Sequence, residues 1–265
     1  MIKKILKFNE LIKFRIKYPM VRQIGIPRYL SFLGFSRVQS PMGFYSQAGQ
    51  DAYLFTEFYH CLQLVDSPKL FIDIGCNHPT VHSNSFFFES NQGYKVIAID
   101  ALTEISNLWS RTRPNAEFIE CAVGNKTEKV EFEVVEGGDN ESMFSSVCGY
   151  SSKTKSKETV KRIVTVRRLD DILSSLGINQ AGIVSIDIEG YELQALEGLD
   201  FNMFSASVFI IENNGRNGLG DDRIRSKMRD NGYIYYARIW NLDDIFVRPE
   251  AIRKNTVKTV ENNRR

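Results

Sequence analysis

Hydrophobic positions along the chain fall into two rhythms that alternate. Residues 69–74 (KLFIDI), 94–100 (YKVIAID), 182–188 (GIVSIDI) and 207–213 (SVFIIEN) are short, nearly unbroken apolar runs. Runs of that length suit strands buried on both faces, as in parallel sheets. Residues 117–124 (EFIECAVG), 129–137 (KVEFEVVEG) and 160–169 (VKRIVTVRRL) add three more strands. Between them lie stretches with helical spacing and recognisable ends. One covers 46–62, with Ser46 placed to cap it. Another covers 83–93 and stops at Gly93, and 103–112 stops just before Pro114. Shorter helices are expected over 169–177 and 189–199, and a polar helix over 221–232 closes at Gly232. Residues 232–239 and 243–250 read as a terminal antiparallel pair. Strands alternating with helices predict an α/β, Rossmann-like fold. Its sheet is mostly parallel, with a terminal antiparallel strand pair and helices on both faces.

Two regions depart from this rhythm. Residues 137–159 are dominated by Gly, Ser and Lys and have no period. A loop of that length in a compact domain points to a lid or a substrate loop, with Phe144 and Tyr150 as acceptor contacts. Residues 2–20 set Ile2, Ile5, Leu6, Leu11, Ile12 and Ile16 among lysines, a helical pattern that ends near Pro19. The expected division is a basic helical extension over 1–42, a domain over 43–250 and a polar tail over 251–265.

The chain has 265 residues, 43% hydrophobic and 25% charged, which is ordinary globular composition. The net charge of +2 hides an asymmetry, because residues 1–40 carry nine Lys and Arg against Glu10 alone. The rest is net acidic, which excludes a broad nucleic-acid footprint. The basic segment is expected to pack as a helix on the domain surface, or alternatively to lie on an anionic membrane surface or on a partner. Cys61, Cys76, Cys121 and Cys148 form no CxxC pair, and His60, His78 and His82 complete no zinc pattern. Reduced thiols in a cytoplasmic compartment are expected. No apolar stretch is long enough to span a bilayer. Lys7, Glu10 and Lys13 interrupt any signal-peptide core.

Ligands on sheets of this kind bind beyond the carboxyl ends of the strands. The first buried strand ends at Asp73, and Gly75 lets the backbone approach a ligand. Cys76, Asn77, His78 and Pro79 follow, so the G-x-G-x-x-G dinucleotide turn is missing. That argues against a nicotinamide or flavin oxidoreductase. The second strand ends at Asp100, where a carboxylate can accept hydrogen bonds from ribose hydroxyls. A nucleoside with an amino-acid tail in place of a pyrophosphate fits the short turn, which points to S-adenosylmethionine. Residues 120–123, including Cys121 and Ala122, would flank its adenine. Further on, Asp187, Glu189 and Glu192 crowd the end of a buried strand. Acids are favoured at helix N-termini in any case. Asp187, however, directly follows an apolar strand, where a carboxylate needs partners. The next strand ends at Glu212, Asn213 and Asn214, so adjacent strands bring Asp187, Glu189 and Glu212 to one cleft mouth.

Taken in order, SQAGQD (46–51), FIDIGCNHP (71–79), SNSFFFE with GYKVIAID (83–100), AVG (122–124), RRLDDIL (167–173), SIDIEGYELQALEGLDF (185–201) and FIIEN (209–213) resemble the FkbM-type methyltransferases. The resemblance is closest to the subgroup associated with bacterial surface polysaccharides, and it covers roughly 43–247. It implies a class I methyltransferase sheet and cofactor roles for Asp73, Gly75, Asn77 and Asp100. It also implies that Gln47 and Asp51 line the cofactor or substrate entrance. Cys76 stands where the family often has Ala, and Ser185 where many members have Lys.

The expected activity is S-adenosylmethionine-dependent O-methylation of a sugar hydroxyl in a surface glycan or its precursor. Alternatives are a small-molecule or lipid hydroxyl or amine as acceptor, or a non-catalytic relative that only binds the cofactor. Transfer is mostly positioning plus removal of one proton. Asp187 and Glu189 are the candidate bases, with His78 behind them. Asp187, Glu212 and Asn213 also offer oxygen ligands for Mg²⁺ or another divalent cation.

Overall fold

The computed structural model describes residues 44–55, 57–58, 67–135, 145–150, 158–213, 220–239 and 241–251. The basic extension over 1–42, the tail beyond 251 and most of the 137–159 loop, Phe144 included, lie outside the described residues.

Seven strands form the central sheet: β1 (Leu70–Ile74), β2 (Lys95–Asp100), β3 (Glu117–Glu120), β8 (Gln180–Ile186), β9 (Ser205–Glu212), β10 (Ile234–Ile239) and β11 (Asp243–Val247). Their spatial order is β3-β2-β1-β8-β9-β11-β10. The five strands from β3 to β9 run parallel. β11 runs antiparallel to both β9 and β10. This is the expected α/β sheet with its terminal antiparallel pair. The order reverses between β1 and β8, which makes their carboxyl ends the crevice where such sheets bind ligands.

Strand alternation divides the core. Ile72, Ile74, Ile97, Ile99, Val184, Ile186, Phe209, Ile211 and Phe246 face one side. There they pack on helices α4 (Leu169–Ser175), α5 (Glu192–Glu197) and α6 (Asp222–Asp230). Phe71, Val96, Ala98, Ile183, Val208, Ile210 and Ile245 face the other side. They meet α1 (Gln50–Leu54), α2 (Phe86–Gln92) and α3 (Ser106–Thr112). The interior strands β1, β2, β8 and β9 are largely apolar on both faces because each face is covered. Among the described residues, no helix is long and apolar enough to cross a membrane.

Two local expectations change. The stretch 117–124 is not one strand: β3 stays in the central sheet, while β4 (Ala122–Gly124) pairs with β7 (Thr159–Arg168) in a second sheet. The break falls at Cys121, whose N–H donates to the Asp100 carbonyl at 2.9 Å and ends the pairing with β2. The second sheet has the order β4-β7-β5-β6, with β5 (Glu128–Val135) and β6 (Ser146–Val147). Nor is Ser46 the N-cap position of α1, although its hydroxyl accepts the Asp51 N–H in the first turn at 3.1 Å. Gly49, in the left-handed conformation, holds that position. Ser46 also forms a parallel bridge with His82.

Candidate active site

Two cavities open at the carboxyl ends of the parallel strands. The first, about 520 Å³, is walled by Gly75, Asn77, Asp100, Leu102, Cys121, Ala122, Phe132, Val147 and Tyr191, among others. The second, about 1160 Å³ and open to solvent, is lined by Gln47, Gln50, Asp73, Cys76, His82, Asn84, Glu212 and Leu242, among others. Gly75, Asn77, Asp187 and Glu189 belong to both. Asp187 and Glu189 therefore stand at the junction of the two spaces, while Asp73 and Glu212 line only the second and Asp100 only the first.

Gly75 makes that junction. Its φ is +77°, and a Cβ there would lie 1.8 Å from the Asp187 carbonyl oxygen. Only glycine lets the exit of β1 lie against the exit of β8. The turn is pinned by Gly75 N–H to the Ile99 carbonyl at 2.8 Å and by Asp187 N–H to the Ile74 carbonyl at 3.0 Å. Asn77 follows with φ 42°. Its N–H donates to Asp100 at 2.8 Å, and its carbonyl accepts from the Trp109 indole at 2.6 Å.

Asp100 is buried and also accepts the Leu102 N–H at 2.9 Å. Burial pushes its carboxyl up to about 6, against those backbone hydrogen bonds. A buried carboxylate on the cavity wall at the end of β2 is suited to ribose hydroxyls. Cys121 and Ala122 lie on the same wall. Burial raises the Cys121 thiol to about 11, so it acts as a neutral packing group. The second sheet contributes Phe132 and Val147, which gives it a purpose the sequence pattern did not reveal.

The acids follow from strand register. Asp73 pairs with Ser185, and Ser185 pairs with Ile210. Asp187 and Glu212, each two residues further on, continue onto that same face. The oxygen atoms of Asp187, Glu189 and Glu212 lie within 4.8 Å of one another. Glu189 is held in the left-handed region at φ 57°. The turn carrying it is clamped by Glu192, whose Oε1 accepts the N–H groups of Ile188 and Gly190 at 3.0 and 2.9 Å. Burial, then the nearby Glu212 charge, push the Glu192 carboxyl up to about 8. Opposite Glu212 in the β9–β11 register sits Asp243. It accepts from the Gln50 amide at 3.0 Å, and burial with the Glu212 charge pushes it up to about 7.

Three expected side chains are placed elsewhere. His78 lines neither cavity. Its Nδ1 accepts the N–H groups of Thr80 and Val81, which makes it a turn-forming residue. The histidine on the second cavity is His82. Asn213 does not join the acids, because its amide donates to Asp244 at 2.8 Å and its oxygen accepts the Asp221 N–H. Glu189 takes its place in the cluster. Asp51 is fully buried and lines neither cavity. It accepts from the N–H groups of Tyr45, Ser46 and Ala52 and from the Ser46 hydroxyl. It thus organises the segment that places Gln47 and Gln50. Tyr150 packs edge-on against Tyr191, with ring centroids 4.4 Å apart.

The family model described as the methyltransferase FkbM domain matches residues 73–235. No curated protein matches. Among solved structures, the chain is similar to a precorrin-6y C5,15-methyltransferase from Geobacter metallireducens GS-15. They share 10% identity, with 78% of this chain and 92% of that chain covered and a TM-score of 0.40. It is also similar to the Podospora anserina methyltransferase PaMTH1 with S-adenosylhomocysteine bound. Here the identity is 12%, the coverage 90% of this chain and 96% of that chain, and the TM-score 0.40.

Proposed function

The chain belongs to the FkbM methyltransferase family and is an S-adenosylmethionine-dependent methyltransferase, and from that premise we propose that it methylates a hydroxyl of a sugar in a surface glycan or its precursor. The observation that carries this reading is the pair of adjoining cavities with Asp187 and Glu189 on the wall of both. One cavity suits a nucleoside and the other suits a polyol. The second is lined by the amides of Gln47, Gln50, Asn77 and Asn84, by carboxylates and by the His82 imidazole, with no Phe, Tyr or Trp among its described lining residues. Such a wall hydrogen-bonds to several hydroxyls.

The residues of the first cavity fit S-adenosylmethionine. Asp100 would accept from the ribose hydroxyls. Gly75 gives the backbone close approach, and Cys121, Ala122 and Leu102 give the adenine an apolar wall. When bound, the cofactor supplies an electrophilic methyl group on a sulfonium. The protein must then hold a hydroxyl oxygen in line and take one proton from it. Asp187 and Glu189, which face both ligands' spaces, are the acceptors for that proton. The basic segment over 1–42 supports work beside an anionic membrane surface, where lipid-linked glycan precursors are built.

Incubation with methyl-labelled cofactor and a panel of glycans and methyl glycosides tests the reading. The label is expected in a sugar fraction as an ether that survives alkali. Label released by mild alkali would mean an ester, and label retained on an amine would mean N-methylation; either overturns the sugar-hydroxyl reading.

A further inference from the structure

We propose that Asp187, Glu189 and Glu212 hold a divalent cation at the junction of the two cavities, within reach of both cofactor and acceptor. The inference deepens the methyltransferase reading and rests on it.

The geometry is of the right size. An ion about 2.0–2.6 Å from each oxygen places opposite ligand atoms roughly 4–5 Å apart. The three carboxylates offer oxygens within 4.8 Å of one another. They arrive from independent elements: Asp187 and Glu189 from the turn after β8, and Glu212 from the end of β9. Each is fixed by its surroundings. Gly75 presses on the Asp187 backbone, Glu192 clamps the turn of Glu189, and the β9–β11 pairing fixes Glu212 opposite Asp243.

A second observation points to a cationic occupant. Asp73, 3% exposed, opens onto the same cavity; Ser85 and Ser185 hydrogen-bond to its carboxyl, but its Oδ2 has no hydrogen-bond partner. Strand register puts it on the same face of the sheet as Asp187 and Glu212. A carboxylate oxygen buried without a donor carries an unmet cost. A cation held nearby by the cluster offsets that cost electrostatically. The cluster offers only carboxylate oxygens, a hard donor set that favours Mg²⁺, Mn²⁺ or Ca²⁺ over zinc. With ligands from three carboxylates, the ion keeps open positions for water or for two neighbouring hydroxyls of a sugar. A hydroxyl bound there would be a stronger acid, and its proton would pass to the Asp187 or Glu189 oxygen that the ion does not engage.

The test is a Mn²⁺ titration followed by electron paramagnetic resonance on the full chain, with and without S-adenosylhomocysteine, and with Mg²⁺ and Ca²⁺ as competitors. One saturable Mn²⁺ site is expected. Glu212→Gln should weaken it at least about tenfold (roughly 1.4 kcal/mol) and change S-adenosylhomocysteine affinity less than about threefold. Circular dichroism confirms that the variant is folded, and Asp73→Asn, expected to weaken Mn²⁺ by a smaller factor, serves if it is not. No saturable Mn²⁺ binding to the folded, cofactor-bound chain overturns the ion site and leaves the methyltransferase reading standing. Equal Mn²⁺ affinity in wild type and the folded variant overturns it as well, since the ion would then sit elsewhere. Mn²⁺ binding without S-adenosylhomocysteine binding would support the ion and count against the methyltransferase reading.

Discussion

Asp100 illustrates how a single side chain links burial to ligand binding. Its carboxyl is raised to about 6 by desolvation, while backbone N–H groups from Asn77 and Leu102 hold the charged form. Ribose hydroxyls donating to it would favour the same charged form. Cofactor binding and deprotonation are therefore coupled in one direction. Affinity for S-adenosylhomocysteine should be level above about pH 7 and fall by up to about tenfold per pH unit below pH 6. Asp100→Asn should lose about 10- to 100-fold in affinity and lose that pH dependence, as a hydrogen bond to a charged group is worth roughly 1.5–3 kcal/mol. Calorimetry between pH 5 and 8 decides it, and a wild-type affinity that does not change across this range would refute the role. Gly75, Asn77 and Asp100 line the first cavity, where strand ends in this class of sheet carry ligands, whereas Asp73, expected beside the cofactor, lines only the second. The positions of His78 and Asn213 were not legible in the sequence, because sequence proximity does not say where a side chain turns. His78 satisfies its own turn, and Asn213 is held by Asp244 and Asp221.

At the scale of elements, the turn between β8 and α5 organises the acids. Glu192 is the first residue of α5, and its carboxyl accepts two N–H groups of the turn while lying close to Glu212 in charge. Its pKa is raised above the unfolded value, so the stabilisation it gives is complete below about pH 4.5. That stabilisation erodes as pH rises and is gone above about 8. Glu192→Gln keeps the accepting oxygen without the charge. In chelator-treated protein, urea unfolding should show wild-type stability falling between pH 5 and 9 and the variant falling less. An equal fall in both would mean that Glu192 does not feel the cluster. The strands and helices themselves were largely readable from periodicity, since both faces of each central strand are apolar. The split of 117–124 between two sheets was not readable. It depends on where Cys121 bonds in space, and no Gly or Pro separates Glu120 from Ala122 to mark the break.

At the scale of the whole molecule, the reversal of strand order between β1 and β8 determines where the chemistry happens. Residues far apart in sequence meet there: Gly75 touches Asp187, Gln50 donates to Asp243, and Asn84 donates to Ser185 at 3.0 Å. The second sheet then supplies part of the first cavity's wall through Phe132 and Val147. That closure could not be inferred from patterning, because the sequence indicates strands but not which sheet they join. The central claim is that this junction is built for S-adenosylmethionine and not for a dinucleotide. Calorimetric titration of S-adenosylmethionine and, separately, NADH into the full chain and its Asp100→Ala variant tests it most directly. The account predicts one saturable site for S-adenosylmethionine, weakened in the variant, and no saturable binding of NADH. A folded protein that binds NADH, or that binds S-adenosylmethionine equally well without the Asp100 carboxylate, would contradict it.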